Sequence, residues 1–228
     1  LFTPVGVTTS SSGLTAYLGG AFPAPFDGNV TFVAESVSNL VHVDIIKDQG
    51  AGFTASRQHS NREFLASTDS WSRPVNMYVG PDGALYVLDY YRQIIEHPEW
   101  MSDEAVAEGG LYNGHDMGRI YRITPTDAQG PTWTIGLKFG EASSEELVGY
   151  LADKNLWWRQ NAQRLLVDRA DPKSIPALIQ MSEQTASELG RLHALWTLEG
   201  INEIKAEQIT KALKDPVAGI RENAIKLA

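Results

Sequence analysis

The chain has 228 residues, 43% of them apolar, a net charge of −9 and no cysteine. That is enough apolar material for one large core or two smaller ones, there is no run of about 18 apolar residues to span a bilayer, and the acidity argues against a nucleic-acid partner. Without cysteine these residues hold no disulfide framework, thiolate metal site or covalent haem, so any redox centre here needs oxygen and nitrogen ligands. The charge is uneven: residues 1–140 carry 8 Lys/Arg against 15 Asp/Glu, giving −7, and the remainder carry 11 against 13, giving −2. Leu1-Phe2-Thr3-Pro4 reads as the middle of a strand-rich region, so the sequence is expected to be part of a longer chain.

Up to about residue 135 the sequence is rich in Gly, Pro, Ser and Thr, and its apolar residues come in short runs bounded by turn signals, a β pattern. Strands are expected at TFVAE (31–35), NLVHVDII (39–46), VNMYV (75–79), ALYVLDYY (84–91) and GRIYRIT (118–124). Pro81-Asp82-Gly83 joins two of them by a tight turn, with Gly83 free to take positive φ. Phe32-Val33-Ala34-Glu35 lines up with Tyr86-Val87-Leu88-Asp89 at an offset of 54. Repeated units of about 40 to 50 residues with several short strands are the sequence signature of β-propeller blades. The expectation is therefore about two blades over residues 1–135, with 92–117 inserted between strands of one blade. Insertions of that length tend to be functional loops.

From Ser143 the period becomes helical. SSEELVGYLA, LWWRQNAQRLLVDR, SIPALIQMSEQ, ASELGRLHALWTLEG, KAEQITKALK and PVAGIRENAIKLA read as six helices in three hairpins after a linker at 136–142. Arg159, Arg191 and Arg221 head matching second helices at spacings of 32 and 30, and Asp153 and Asp215 each precede their arginine by six. This predicts an α-solenoid of the HEAT type over 143–228, a surface for a protein partner. Trp157, Trp158, Trp196, Leu165 and Leu166 read as shared core, and the arginines as ligands of neighbouring loop carbonyls and aspartates.

No nucleophile elbow, phosphate-binding glycine loop, His-x-x-x-His pair or EF-hand loop occurs. The polar residues near strand ends are Arg57, His59, Arg62, Asp69, Arg73, Asp89, Arg92, Glu96, His97, His115, Asp116 and Arg119. Arg73 has two readings: a planar fork for a ligand carboxylate, or an ion pair with Asp69 or Asp89. Asp89 and Glu35, at matching places, read as recurring turn caps. His115 beside Asp116, between glycines, is either a general base for a hydroxyl proton or an ordinary turn.

REFLASTDSWSRPVNMYVGPDGALYVLDYYRQIIEHP, NGHDMGRIYRI, NLWWRQNAQRLLVDR and RLHALWTLEG resemble a bacterial family labelled membrane-bound dehydrogenases. Its members are similar to soluble glucose/sorbosone dehydrogenases in their β-propeller, which is followed by HEAT repeats and often a c-type cytochrome domain. The resemblance implies a periplasmic or cell-surface quinoprotein. In it pyrroloquinoline quinone with calcium would oxidise a sugar or polyol and pass electrons to haem c outside this chain. On that implication His115 and Asp116 are the catalytic candidates, Arg73, Asp69, Asp89 and Arg119 the cofactor-binding ones, and no metal-ligand set is assigned. The competing expectation is a non-catalytic module that binds a polysaccharide or partner protein through loop aromatics such as Tyr90, Tyr91, Trp100 and Tyr112.

Overall fold

The computed structural model describes residues 9–184 and 186–228; the strand character expected of Leu1-Phe2-Thr3-Pro4 lies outside them. The chain divides into two compact units, residues 1–128 and 129–228.

The first unit holds two open antiparallel sheets. One contains β1 (Ser11–Ala16), β2 (Val30–Glu35), β3 (Leu40–Gln49) and β4 (Gly52–Arg57) in that order, with the two-residue β5 (Leu65–Ala66) also on β3. The other contains β6 (Pro74–Val79), β7 (Leu85–Asp89) and β8 (Arg119–Ile123). Alternation explains the first sheet: Phe32 pairs with Val43 and Ala34 with Val41, so their side chains share one face, and all four are buried. Met77, Leu85 and Val87 of the second sheet join the same core. Complete burial of a side chain such as Phe32 contributes about 2–3 kcal/mol.

Two contacts knit the sheets together. The Thr15 hydroxyl donates to the Met77 carbonyl at 2.9 Å. The Tyr17 hydroxyl donates to the Gly83 carbonyl at 2.7 Å and accepts from the Ala21 and Phe22 amides. Gly83 sits at φ +76° in the turn between β6 and β7, closed by bonds from the Gly80 amide to Ala84 and from the Gly83 amide to Gly80. β1 can approach β6 because Gly13, at φ +57°, has no side chain: a Cβ there would lie 2.6 Å from Asn76 Cα and 2.7 Å from the Val75 carbonyl oxygen.

The second unit is helical: α2 (Ser144–Tyr150), α3 (Leu156–Arg169), α4 (Ile175–Gln184), α5 (Glu188–Gly200), α6 (Ala206–Ala212) and α7 (Ala218–Leu227) follow the short α1 (Asp103–Ala107) of the first unit. Consecutive helices pair as α2–α3, α4–α5 and α6–α7, and α3–α5 and α5–α7 also pack. Ser143 opens α2 with a capping box to Glu146, which satisfies two amides that helix geometry leaves without partners. Phe139 packs against Tyr150, Trp157 and Trp158, so the segment expected as a linker belongs to this unit. Leu166 is buried, whereas Trp157, Trp158 and Trp196 are half-buried, not fully enclosed core. The arginines brace the hairpins. Arg159, 1% exposed, donates to the Asp153 carbonyl at 2.6 Å and to His193 Nε2 at 3.2 Å, Arg191 forks onto Asp215, and Arg221 reaches the Asp215 carbonyl.

The expected class, C-terminal blades of a β-propeller followed by a HEAT-type solenoid, is replaced by a mixed α and β architecture: two small open sheets, not closed on each other, and a group of helices. The misreading has a physical origin in the offset of 54. Phe32 points into the core while Tyr86, its counterpart, is only partly buried, and Val33 is partly exposed while Val87 is buried. The two segments are one residue out of pleat phase, and a one-residue slip exchanges the faces of a strand, so they are not equivalent strands. Short strands bounded by turn residues describe any antiparallel meander and do not specify closure.

Two stability tests follow from this packing. Gly13→Ala should lose at least about 2 kcal/mol in urea denaturation, from positive φ and backbone overlap together; an unchanged midpoint would contradict the close approach of β1 and β6. Burial, then the charge of Arg159, lowers the His193 pKa to about 4, with its Nδ1 2.6 Å from Gln163 Oε1. The unfolded chain therefore binds more protons than the folded one. Stability is full above pH 6.5 and declines as pH falls towards 4. His193→Gln should flatten that part of the acid-denaturation curve.

Candidate functional site

The site is built at the end of the second sheet, where β7 gives way to the long connection that returns as β8. Asp89, the last residue of β7, is 3% exposed. Its Oδ1 accepts from the amides of Arg73 at 2.7 Å and Tyr91 at 3.0 Å, and its Oδ2 from the hydroxyls of Ser72 at 3.1 Å and Tyr121 at 3.3 Å. Burial of a carboxylate is tolerated only with such saturation. Tyr121 is pushed up by burial and by the nearby Asp89 charge. Glu35 plays a similar part at the end of β2, accepting from the amides of Ser38, Ser10 and Thr9; burial works to raise its pKa, but those donors hold it low.

The Arg73 guanidinium makes no direct ion pair with Asp69 or Asp89. It donates to the carbonyls of Arg92 at 3.0 Å, Gln93 at 2.9 Å and Ser36 at 3.0 Å, and burial lowers its pKa. It pins the start of the β7–β8 connection to the β2–β3 turn. Asp69 accepts from the Trp71 amide at 3.0 Å and the Tyr91 hydroxyl at 2.9 Å, which lowers its pKa. Tyr91 itself is left-handed, at φ 50°, an unusual conformation for a bulky residue. Arg119, opposite Asp89 in the β7–β8 ladder, lies over the Tyr91 ring at 4.0 Å and donates to the Met117 carbonyl.

Of these residues Asp89 and Arg119 line a concavity of about 390 Å³, together with Tyr90, Arg92, His115 and Ile120; Arg73, Asp69 and Tyr91 are not part of its lining. Arg92 donates to the carbonyls of Tyr91 at 2.9 Å and Gly114 at 2.7 Å, tying the two ends of the connection together, and lies 4.3 Å from the Tyr90 ring centre. His115 is exposed, and its Nδ1 bonds to the Tyr112 carbonyl at 2.9 Å instead of to Asp116, which is also exposed. The expected His-Asp couple is therefore not assembled as base and orienting partner. With Nδ1–H donated to that carbonyl, Nε2 is left as an acceptor. A larger hollow of about 1020 Å³ opens in the helical unit. Its Arg169 is committed to the carbonyls of Ala142 and Gly140 and its Asp171 to Ser144 and the Lys173 amide.

Of the residues expected to hold the quinone, Arg73 is spent on carbonyls and Asp89 has both oxygens bonded inward; among those four candidates only Arg119 brings to the lining a charge that a ligand can meet. Among the described residues no three His, Asp or Glu side chains converge to hold a metal ion.

A second polar cluster went unrecognised in the sequence. On the outer face of β3, His42 bonds to Glu63 at 2.6 Å and to Asp44 at 3.1 Å, and Glu63 also pairs with Arg57. His42 and Asp44 share a face by alternation, but Glu63 arrives from a loop 21 residues away, which no local spacing encodes. Both imidazole nitrogens are occupied, so the cluster braces β3 against that loop.

If Asp89 is an anchor of this loop system, Asp89→Ala should cost roughly 2–4 kcal/mol in urea denaturation, since two buried amides lose their acceptor. Asp89→Asn, which keeps one carbonyl oxygen, should cost less; equal stability of the alanine variant and wild type would refute the role.

Residues 2–127 match a family model described as a domain of unknown function, DUF7133. No curated protein matches the chain, and no solved structure does. The match takes in both sheets and the connection that carries the concavity, and spans more than half of the chain: the chain belongs to the DUF7133 family.

Proposed function

We propose that the β-sheet unit is a non-catalytic recognition module for a polysaccharide. The observation that carries this reading is the division of labour around the concavity. Of the polar groups singled out for chemistry, Arg73 and Asp89 are turned inward and hold the loops, and the exposed His115 is not oriented by Asp116. Of the loop aromatics, Tyr90 lines the concavity and is 50% exposed, Tyr112 and Trp100 lie outside the lining and are each 79% exposed, and Tyr91 is buried. An aromatic face held in place by a guanidinium at its back suits the apolar C–H face of a pyranose ring, and the rigid loops spare the ordering cost of binding. The free acceptor on His115 and the remaining donors of Arg92 and Arg119 suit sugar hydroxyls. A concavity of this size lies within the range of small-ligand sites.

The test is calorimetric titration of the 228-residue protein with a panel of neutral and acidic oligosaccharides. Tyr90→Ala should weaken binding by about tenfold, near 1.4 kcal/mol, while Phe53→Ala, an exposed aromatic on β4, should leave it unchanged. Absence of binding to every member of the panel would sink the proposal.

A further inference from the structure

We infer that the ligand of the β7–β8 concavity is an acidic saccharide, one carrying a carboxylate or sulfate on its pyranose ring; the inference rests on the polysaccharide reading above. The charges that a ligand can meet in the concavity are cationic. Arg92 and Arg119 are held by neutral carbonyls and by the rings of Tyr90 and Tyr91, which orient a guanidinium without cancelling its charge. Asp89 is the carboxylate among the lining residues, and it is buried with both oxygens bonded inward to Ser72, Arg73, Tyr91 and Tyr121. It offsets one positive charge, and the exposed Asp69, outside the lining, interacts with Arg119 as well; Asp89 itself offers a ligand no accessible oxygen to repel it at contact. In a chain of net charge −9, two partly exposed arginines line one depression. Guanidinium groups are matched to planar carboxylates and to sulfate oxygens by their fork of donors. Tyr90 supplies the stacking face beside them, so one sugar ring would present its C–H face to Tyr90 and its anionic substituent to Arg119.

The experiment is calorimetric titration with a matched series: an uncharged galactan oligosaccharide, an oligogalacturonate and a sulfated galactan oligosaccharide. The expected result is affinity for at least one anionic member about tenfold above the uncharged one, the scale of one charge-assisted contact. That preference should shrink as salt is raised from low to several times physiological strength, because screening acts on the charge term alone. Arg119→Gln should abolish the preference while retaining weak binding of the uncharged oligosaccharide, and Arg119→Lys should keep part of it. Preference for the carboxylate or for the sulfate member identifies which anion is read. Equal affinity for all three, or a preference insensitive to salt in the wild-type protein, would overturn the inference and leave the polysaccharide reading standing. No binding by any of the three, together with failure of the wider panel, would remove both.

Discussion

The carboxylate of Asp89 is the interaction on which the rest of the second sheet depends. At the end of β7 it meets two amides and two hydroxyls from segments that are far apart in sequence, from Ser72 to Tyr121. In a buried setting each of those donors would otherwise lose its hydration without recompense, and so would the carboxylate. Once Asp89 fixes the Arg73 backbone, the Arg73 guanidinium reaches Ser36, Arg92 and Gln93. Arg92 then ties Tyr91 to Gly114. A long connection that could be loose is thereby closed at its base.

The same economy limits what the site can do. A carboxylate whose lone pairs are all in use is a poor proton acceptor, and a guanidinium spent on carbonyls is a poor clamp for a polyanionic cofactor. What remains accessible is the face of Tyr90, the edge of His115 and the outward donors of two arginines. Such a surface is suited to recognition, where fixed geometry favours affinity, more than to proton transfer, where a base must be poised by a partner. Within the helical unit the arginines work on the same principle, bracing one hairpin against the next through carbonyls, an imidazole and Asp215.

The secondary structure was legible wherever burial imposes a period. β2, β3, β6, β7 and β8 were read from alternation and turn residues, and the six helices α2 to α7 from their apolar spacing. β1 and β4 were not. Every residue of β4 is exposed, so no face alternates, and β1 is interrupted by a register shift beside Gly13. The apparent repeat between Phe32-Val33-Ala34-Glu35 and Tyr86-Val87-Leu88-Asp89 misled because chemical similarity carries no information about pleat phase. At the site, the sequence drew attention to Asp69, Arg73, Asp89 and Arg119, and they do gather around one loop system. Their roles were hidden, since the partners of the Arg73 guanidinium lie 19 to 37 residues away and are backbone carbonyls.

By itself the sequence determined that a strand-rich half precedes a helical half, that a long connection separates two strands of one sheet, and that neither thiol chemistry nor a long apolar helix features in it. These are properties of composition and local period, set by residues that are neighbours in the chain. Only the tertiary structure decided that the sheets stay open, that Asp89 and Arg73 face inward, that His115 bonds to a carbonyl instead of Asp116, and that Tyr90 is left exposed beside two partly exposed arginines. Those outcomes depend on which carbonyls and amides come within about 3 Å of a side chain. That is a matter of long-range packing, to which every residue contributes the same backbone groups, so the sequence does not mark them.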